Sequence, residues 1–237
     1  TAYHGVWIDS WEAHGQNWTG IFPEEFKKRR GYDLIPYLPL ITMGQIIESP
    51  EVSERFLWDF RRTIADMIRE NFFRTAHRWI NERGMLVTGE FAGMAAHLYD
   101  PINYMMEVDI PVGEFWSLGD KGGEDIRVAA SIAHTSGRPT VGAEAYTNWG
   151  GYDKYPYKLK SLGDVAFCAG VNRFIFHTYS HQPWADPKPG MTFGPWGIDF
   201  HRGNTWFTQS HQWMTYISRC QQMLREGRFV ADICHYI

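Results

Sequence analysis

The stretch 53–83, SERFLWDFRRTIADMIRENFFRTAHRWINER, returns an apolar residue at every fourth position: Phe56, Phe60, Ile64, Ile68, Phe72, Ala76 and Ile80, with Gly84 following. Side chains four apart share a helix face, so the spacing predicts one long amphipathic helix that ends at the glycine. Elsewhere the pattern changes to short apolar runs that each finish on an acid. GVWIDSWE, from residue 5, reaches Asp9 and Glu12; MLVTGEF reaches Glu90, MMEVDIPVGEFW reaches Glu114 and RPTVGAEAYT reaches Glu144. A fifth run, RFIFHTYSHQPW over 173–184, reads as a strand leading into His177 and His181. Helical patterns separate and close the later runs: EDIRVAASIAHTSG, YKLKSLGDVAFCAGV, and NTWFTQSHQWMTYISRCQQMLREG ended by Gly227.

Five strand-to-helix units in a row predict an α/β architecture of parallel strands covered by helices, since each parallel pair needs a crossover connection. The expected fold is a partial (β/α)8 barrel of the TIM type, about its last five units, over residues 1–228. Residues 229–237 then open a following domain that is cut short. Thr1 at the start and the unfinished alternation in RFVADICHYI at the end mark the chain as an excerpt of a longer protein. The region 20–52, rich in proline and charge, reads as a loop. A flavodoxin-like open sheet is the structural rival, but no glycine-rich phosphate loop follows a strand, and GDKGGED at 119–125 reads only as a flexible turn.

In a β/α barrel the C-terminal strand ends build the active site, so Asp9, Glu12, Glu90, Glu114 and Glu144 are expected on one rim. Carboxylates packed together raise one another's pKa, which yields a protonated acid beside an ionised base at neutral pH. Glycoside hydrolysis uses such a pair. Aromatic residues make up 16% of the chain, with 11 tryptophans, more than core packing asks for. Trp11, Trp149, Trp184 and Trp196, in loops after strands, are candidate platforms for pyranose rings, while Trp58, Trp79 and Trp213, on helices, are expected to pack inside.

A net charge of −4 leaves no basic stripe for a phosphate backbone, which argues against nucleic acid, and no run approaches the 20 or so apolar residues of a membrane span. His177 and His181, four apart on an extended strand, would stand about 13 Å from each other, too far for one zinc ion. A hard cation held by carboxylate and carbonyl oxygens suits the residues better. Cys168, Cys220 and Cys234 are odd in number and widely spaced, and are expected as buried thiols. NWT at 17–19 matches a glycosylation sequon, a motif frequent by chance.

The strings DSWEAHGQNWT, FKKRRGYDLIPYLP, RFLWDFRRTIAD, DIPVGEFW, GAEAYT, and NRFIFHTYSHQPW with PGMTFGPWG together resemble glycoside hydrolase family 106, the α-L-rhamnosidases, over almost the whole chain. The resemblance implies an inverting, calcium-dependent glycosidase of the bacterial periplasm or exterior, with a (β/α)8 catalytic barrel, acting on rhamnose-containing oligo- or polysaccharides. GVWIDSWE would then be about the fourth barrel strand and TVGAEAYT the seventh. Carried over motif by motif, Glu12 is implied as catalytic acid and Glu144 as catalytic base, with the reverse assignment open. The resemblance implies Glu90 and Glu114 as substrate or calcium ligands, Glu114 being the choice for calcium and Glu90 for substrate, and Asp9 as a substrate contact that orients Glu12; Trp11, Trp149, Trp184, His177 and His181 are expected in substrate binding from their places after strands. Missing upstream strands make activity an expectation for the parent rather than for the excerpt. The alternatives are a retaining β-galactosidase-like enzyme on the same barrel, or a fragment that binds carbohydrate without turnover.

Overall fold

The computed structural model of the chain describes residues 3–13, 16–91, 100–117, 123–150 and 152–234. Five strands, β1 (Gly5–Ile8), β2 (Leu86–Glu90), β3 (Ile110–Trp116), β4 (Gly142–Thr147) and β5 (Arg173–Phe176), form one sheet in chain order, and each neighbouring pair is parallel. Helices α1 (Phe22–Arg30), α2 (Leu38–Met43), α3 (Pro50–Ile68) and α4 (Arg74–Asn81) connect β1 to β2. Then α5 (Pro101–Met105), α6 (Gly123–Ser136) and α7 (Pro156–Cys168) make the later crossovers, and α8 (His211–Glu226) follows β5. An open doubly wound sheet reverses its strand order at a switch point, whereas this one never does. The fold is α/β with five parallel strands in a half-barrel.

Strand side chains alternate between faces, and the register aligns them across the sheet. Trp7 pairs with Thr88, Glu90 with Val112 and Glu114 with Glu144, so these side chains share one face. The other face carries Val87, Phe115, Ala143, Ala145 and Phe174, which pack against the helices in two clusters. Helix α6 lies so close on β3 that a Cβ at Gly113 would run into the backbone of Asp125 and Ile126. Backbone cannot swing aside as a side chain can, so Gly113→Ala is expected to cost about 1–3 kcal/mol, the usual range for an overpacked core, read as a lowered Tm.

The expected helix over 53–83 is present but broken. Ser49 caps α3, accepting from the Val52 N–H, and Pro50 starts it; a π-helical turn over Arg69–Phe73 then joins α3 to α4. That turn inserts one residue into the repeat and rotates the face that follows. Phe73 therefore takes the core position that fourfold spacing assigns to Phe72, and Phe72 turns outward to meet Trp11 edge-on at 4.9 Å.

Region 20–52 is not a loop. Its prolines sit at helix starts, where a missing N–H costs nothing, and so open α1, the 3-10 turn Ile35–Tyr37 and α2. Arg30 clasps α1 to α3 through Thr63 at 2.9 Å and Asp66 at 2.5 Å, over a cluster of Phe22, Phe26, Phe56 and Phe60. The run from 173 stops as a strand at Phe176. The thiols are not buried either: Cys168 and Cys234 are exposed and Cys220 half-buried. Of the three helical tryptophans only Trp213 is in the core; Trp58 and Trp79 are exposed, the latter covered by the Arg83 guanidinium 3.7 Å from its ring. Residues 119–122 of the expected turn lie outside the described residues, and 123–125 begin α6. Residues 229–234 run without regular structure, with Phe229 stacked on His134.

Candidate active site

Asp9 and Glu90 stand at the C-terminal ends of their strands, whereas Glu114 lies two residues before the end of β3 and Glu144 in the middle of β4. Glu90 is the last residue of β2, and Asp9 follows β1 directly; Asp9 accepts from the Ser10 N–H at 3.1 Å and the Trp7 indole at 3.4 Å. Carboxylate oxygens of Asp9, Glu90 and Glu144 all lie within 4.8 Å of one another. Three ionised carboxylates at that distance repel, so protons must be retained or a cation must enter. Glu90 is buried, and burial first, then the charge of Glu144 and the neighbouring Asp9, push its pKa far above the usual carboxylate range. Glu144 is also raised, by burial and then by the charge of Glu114, while hydrogen bonds from Thr147 and Glu90 partly offset the rise.

Glu114 stands beside Glu144 in the register but outside that trio. Burial raises its pKa, the nearby Thr147 hydroxyl and a hydrogen bond from Trp116 oppose the rise, and the charge of Glu12 adds to it, ahead of that of Asp9. Glu12 therefore shares the rim with Glu114. It is exposed, four residues beyond the end of β1, and accepts from Ser10 Oγ at 3.1 Å. His177, the first residue after β5, puts Nδ1 3.7 Å from Glu144 Oε1, and burial lowers its pKa, so it faces the acids as a neutral imidazole. His181 lies on the exposed loop beyond, too far along the chain to join it on a strand.

Thr147 and Trp116 are site residues that the apolar-run pattern does not single out. Trp116 was within reach of sequence reasoning, because two positions after Glu114 on a strand means the same face. Thr147 was not, because alternation would put it opposite Glu144. At Tyr146 the backbone turns left-handed, φ 70°, and the register slips so that Trp116 pairs with Thr147. Tyr146 is thereby turned into the helix-side core against Phe115, Phe176 and Trp213, and the Thr147 hydroxyl returns to Glu144 Oε1 at 3.0 Å. Such a bulge re-aims a side chain next to a site, at a strain cost of about 1–3 kcal/mol.

Among the tryptophans, Trp11 is half-buried against Phe72, whereas Trp149, Trp184 and Trp196 are largely exposed above the ends of β4 and β5. The donor set of Asp9, Glu90 and Glu144 is all oxygen, and no donor among the described residues reaches Glu90 Oε2. Hard oxygen ligands around an unsatisfied buried carboxylate fit a divalent cation such as calcium.

Acids gathered on one face of successive parallel strands, the buried ones with raised pKa, are the equipment of barrel glycoside hydrolases, and the chain falls in that class. It belongs to glycoside hydrolase family 106, the alpha-L-rhamnosidase family, whose sequence profile matches residues 2–237. It is similar to a rhamnosidase from Novosphingobium sp., with a TM-score of 0.82 and 34% identity over 95% of this chain and 22% of that one. It is also 43% identical, over 98% of this chain and 20% of the relative, to a protein of Formosa agariphila named "Putative beta-glucuronidase". The chain thus spans about a fifth of the length of each.

Proposed function

We propose that the protein carrying this chain removes terminal α-L-rhamnosyl residues from oligo- or polysaccharides with inversion at the anomeric carbon. The observation that carries this reading is the convergence of Asp9, Glu90 and Glu144 on one point, with Glu114 and Glu12 at its edge, in a member of the rhamnosidase family. Glu12, on the open side, protonates the glycosidic oxygen, and Glu144 draws the proton from the water that attacks the opposite face of the sugar. In an inverting enzyme that pair stands about 6.5–9.5 Å apart to leave room for the water, against about 5–5.5 Å for a retaining one. Thr147 orients Glu144 by donating to it. His177, Trp11, Trp149, Trp184 and His181 are the further sugar contacts.

Asp9 and Glu90 would hold the calcium ion, with Glu114 alongside and Glu144 offering it one carboxylate oxygen while the other stays free for the attacking water. When bound, the ion supplies positive charge against the vicinal sugar hydroxyls and offsets that of the carboxylates. Charge also favours a neutral sugar over the uronic acid in the Formosa relative's name, since a glucuronide brings its own carboxylate into five others. In the same reading residues 1–228 are the C-terminal part of a (β/α)8 barrel, residues 229–237 open the next domain, and the protein works in the periplasm or outside the cell.

Proton NMR of the full-length protein acting on an aryl α-L-rhamnoside tests the stereochemistry. The expected first-formed sugar is β-L-rhamnose, which later mutarotates. First appearance of the α anomer would mean retention, and cleavage of glucuronides in preference to rhamnosides would mean that the substrate is wrong.

A further inference from the structure

The loops that follow β4 and β5 are tied together by backbone, not by their tryptophans. Trp149 and Trp196 form an antiparallel bridge, Gly150 N–H donates to Pro195 at 2.8 Å and Gly197 N–H donates to Asn148 at 2.9 Å. Gly150, at φ 91°, and Gly197, at φ 78°, take left-handed turns that an L side chain resists. Asn148, fully buried, pins the first loop through the Gly150 carbonyl and through Asp153 at 3.2 Å. On this stiff base the indoles of Trp149 and Trp196 lie 4.1 Å apart at 44°, yet they stay 52% and 39% exposed. A rigid backbone that presents large apolar rings to water is preorganised for a ligand, because little ordering is left to be lost on binding.

Trp116 connects this step to the acids. Its indole N–H donates to Glu114, and its ring lies 6.2 Å from Trp149 and 6.3 Å from Trp196. Glu12 lies near enough for its charge to raise the pKa of Glu114. The two tryptophans therefore stand, exposed, on the solvent side of Trp116, next to an acid cluster whose most buried member is Glu90. A terminal sugar held at the acids sends the rest of its chain toward solvent, where these exposed rings stand. Two indoles inclined at 44° give a step with single open faces instead of a parallel slot. This suits the C–H face of a puckered pyranose better than a flat aromatic aglycone.

We propose that Trp149 and Trp196 form a subsite for the sugar on the leaving-group side of the scissile bond. This rests on the rhamnosidase reading. The test uses the full-length protein and its Trp149→Ala/Trp196→Ala double variant. Each is assayed on the best substrate of a panel of rhamnose-capped trisaccharides and on α-L-rhamnosyl fluoride, whose leaving group has no ring. The expected result is that kcat/KM for the trisaccharide falls at least tenfold relative to that for the fluoride, with Trp149→Phe/Trp196→Phe recovering part of the loss. Parallel falls on both substrates, or no fall on either, would overturn the subsite. If the parent protein cleaves neither substrate, it is the rhamnosidase reading that fails. The subsite is then judged by calorimetric titration with the disaccharides that the panel would release. Binding that is at least tenfold weaker in the alanine variant upholds it, and equal or absent binding overturns it.

Discussion

Glu12→Gln and Glu144→Gln in the full-length protein are each expected to lower hydrolysis of an aryl rhamnoside by about 10²–10⁴-fold while leaving the fold intact, the loss that follows removal of a general acid or base. The two variants should differ in how the leaving group matters. A general acid is needed only where the departing oxygen needs a proton, so Glu12→Gln should keep most of its rate on α-L-rhamnosyl fluoride and lose the alkaline limb of its pH profile. A general base is needed whatever leaves, so Glu144→Gln should fail on the fluoride as well. The opposite pattern would exchange the two roles. Near-normal rates in both variants would remove the pair altogether. Circular dichroism and thermal unfolding keep the comparison honest: in the chelated protein the neutralisation of Glu144, which sits in a repelling cluster, is expected to raise the Tm slightly, whereas with calcium bound the loss of a ligand is expected to lower it.

The second large effect concerns the cation. Glu90 and Glu144 both titrate above the ordinary carboxylate range, burial being the first cause in each. The metal-free folded chain therefore binds more protons than the unfolded one between that range and the raised values, so its stability falls as pH climbs through this window. A divalent ion on Asp9, Glu90 and Glu144 compensates the same charge and does not leave as protons do. Chelation at pH 8 is thus expected to lower the Tm and calcium to restore it, through a stabilisation of about 2.7 kcal/mol at a hundredfold excess over Kd, with a smaller difference at pH 5. Glu90→Gln removes a buried carboxylate that no described donor satisfies at Oε2. It should raise the Tm of the chelated protein at pH 8 and abolish the calcium response. A full response in that variant would put the ion elsewhere.

Apolar runs and the acids that end them stand in the amino-acid order itself, and periodicity turns them into parallel strands with charged C-terminal tips. That is enough to predict Asp9, Glu90, Glu114 and Glu144 on one rim, since strand direction alone determines which end of a sheet a residue reaches. Capping signals served equally well where they were read, as at the glycines closing α6 and α8. They were also present where they were missed, for the prolines of region 20–52 mark helix starts as much as loops. Tryptophan burial was less accessible, because a helix with an amphipathic stripe does not say whether a ring at the stripe's edge meets a neighbour. Trp213 packs inside, whereas Trp58 and Trp79 stay exposed, the latter under the Arg83 guanidinium.

Two irregularities lie beyond any periodic reading. The π turn at Arg69–Phe73 and the left-handed residue Tyr146 each shift the phase of a repeat by one position. A phase shift is unfavourable locally and persists only because packing far away in the chain offsets it, Phe73 on Tyr104 in one case and Tyr146 between Phe115, Phe176 and Trp213 in the other. The acids that end the runs, and the sheet they ride on, follow from local order. Which hydroxyl reaches Glu144, which ring turns toward Trp11, and that Asp9, Glu90 and Glu144 come within 4.8 Å, follow from contacts between residues up to 135 positions apart, which no window along the chain contains.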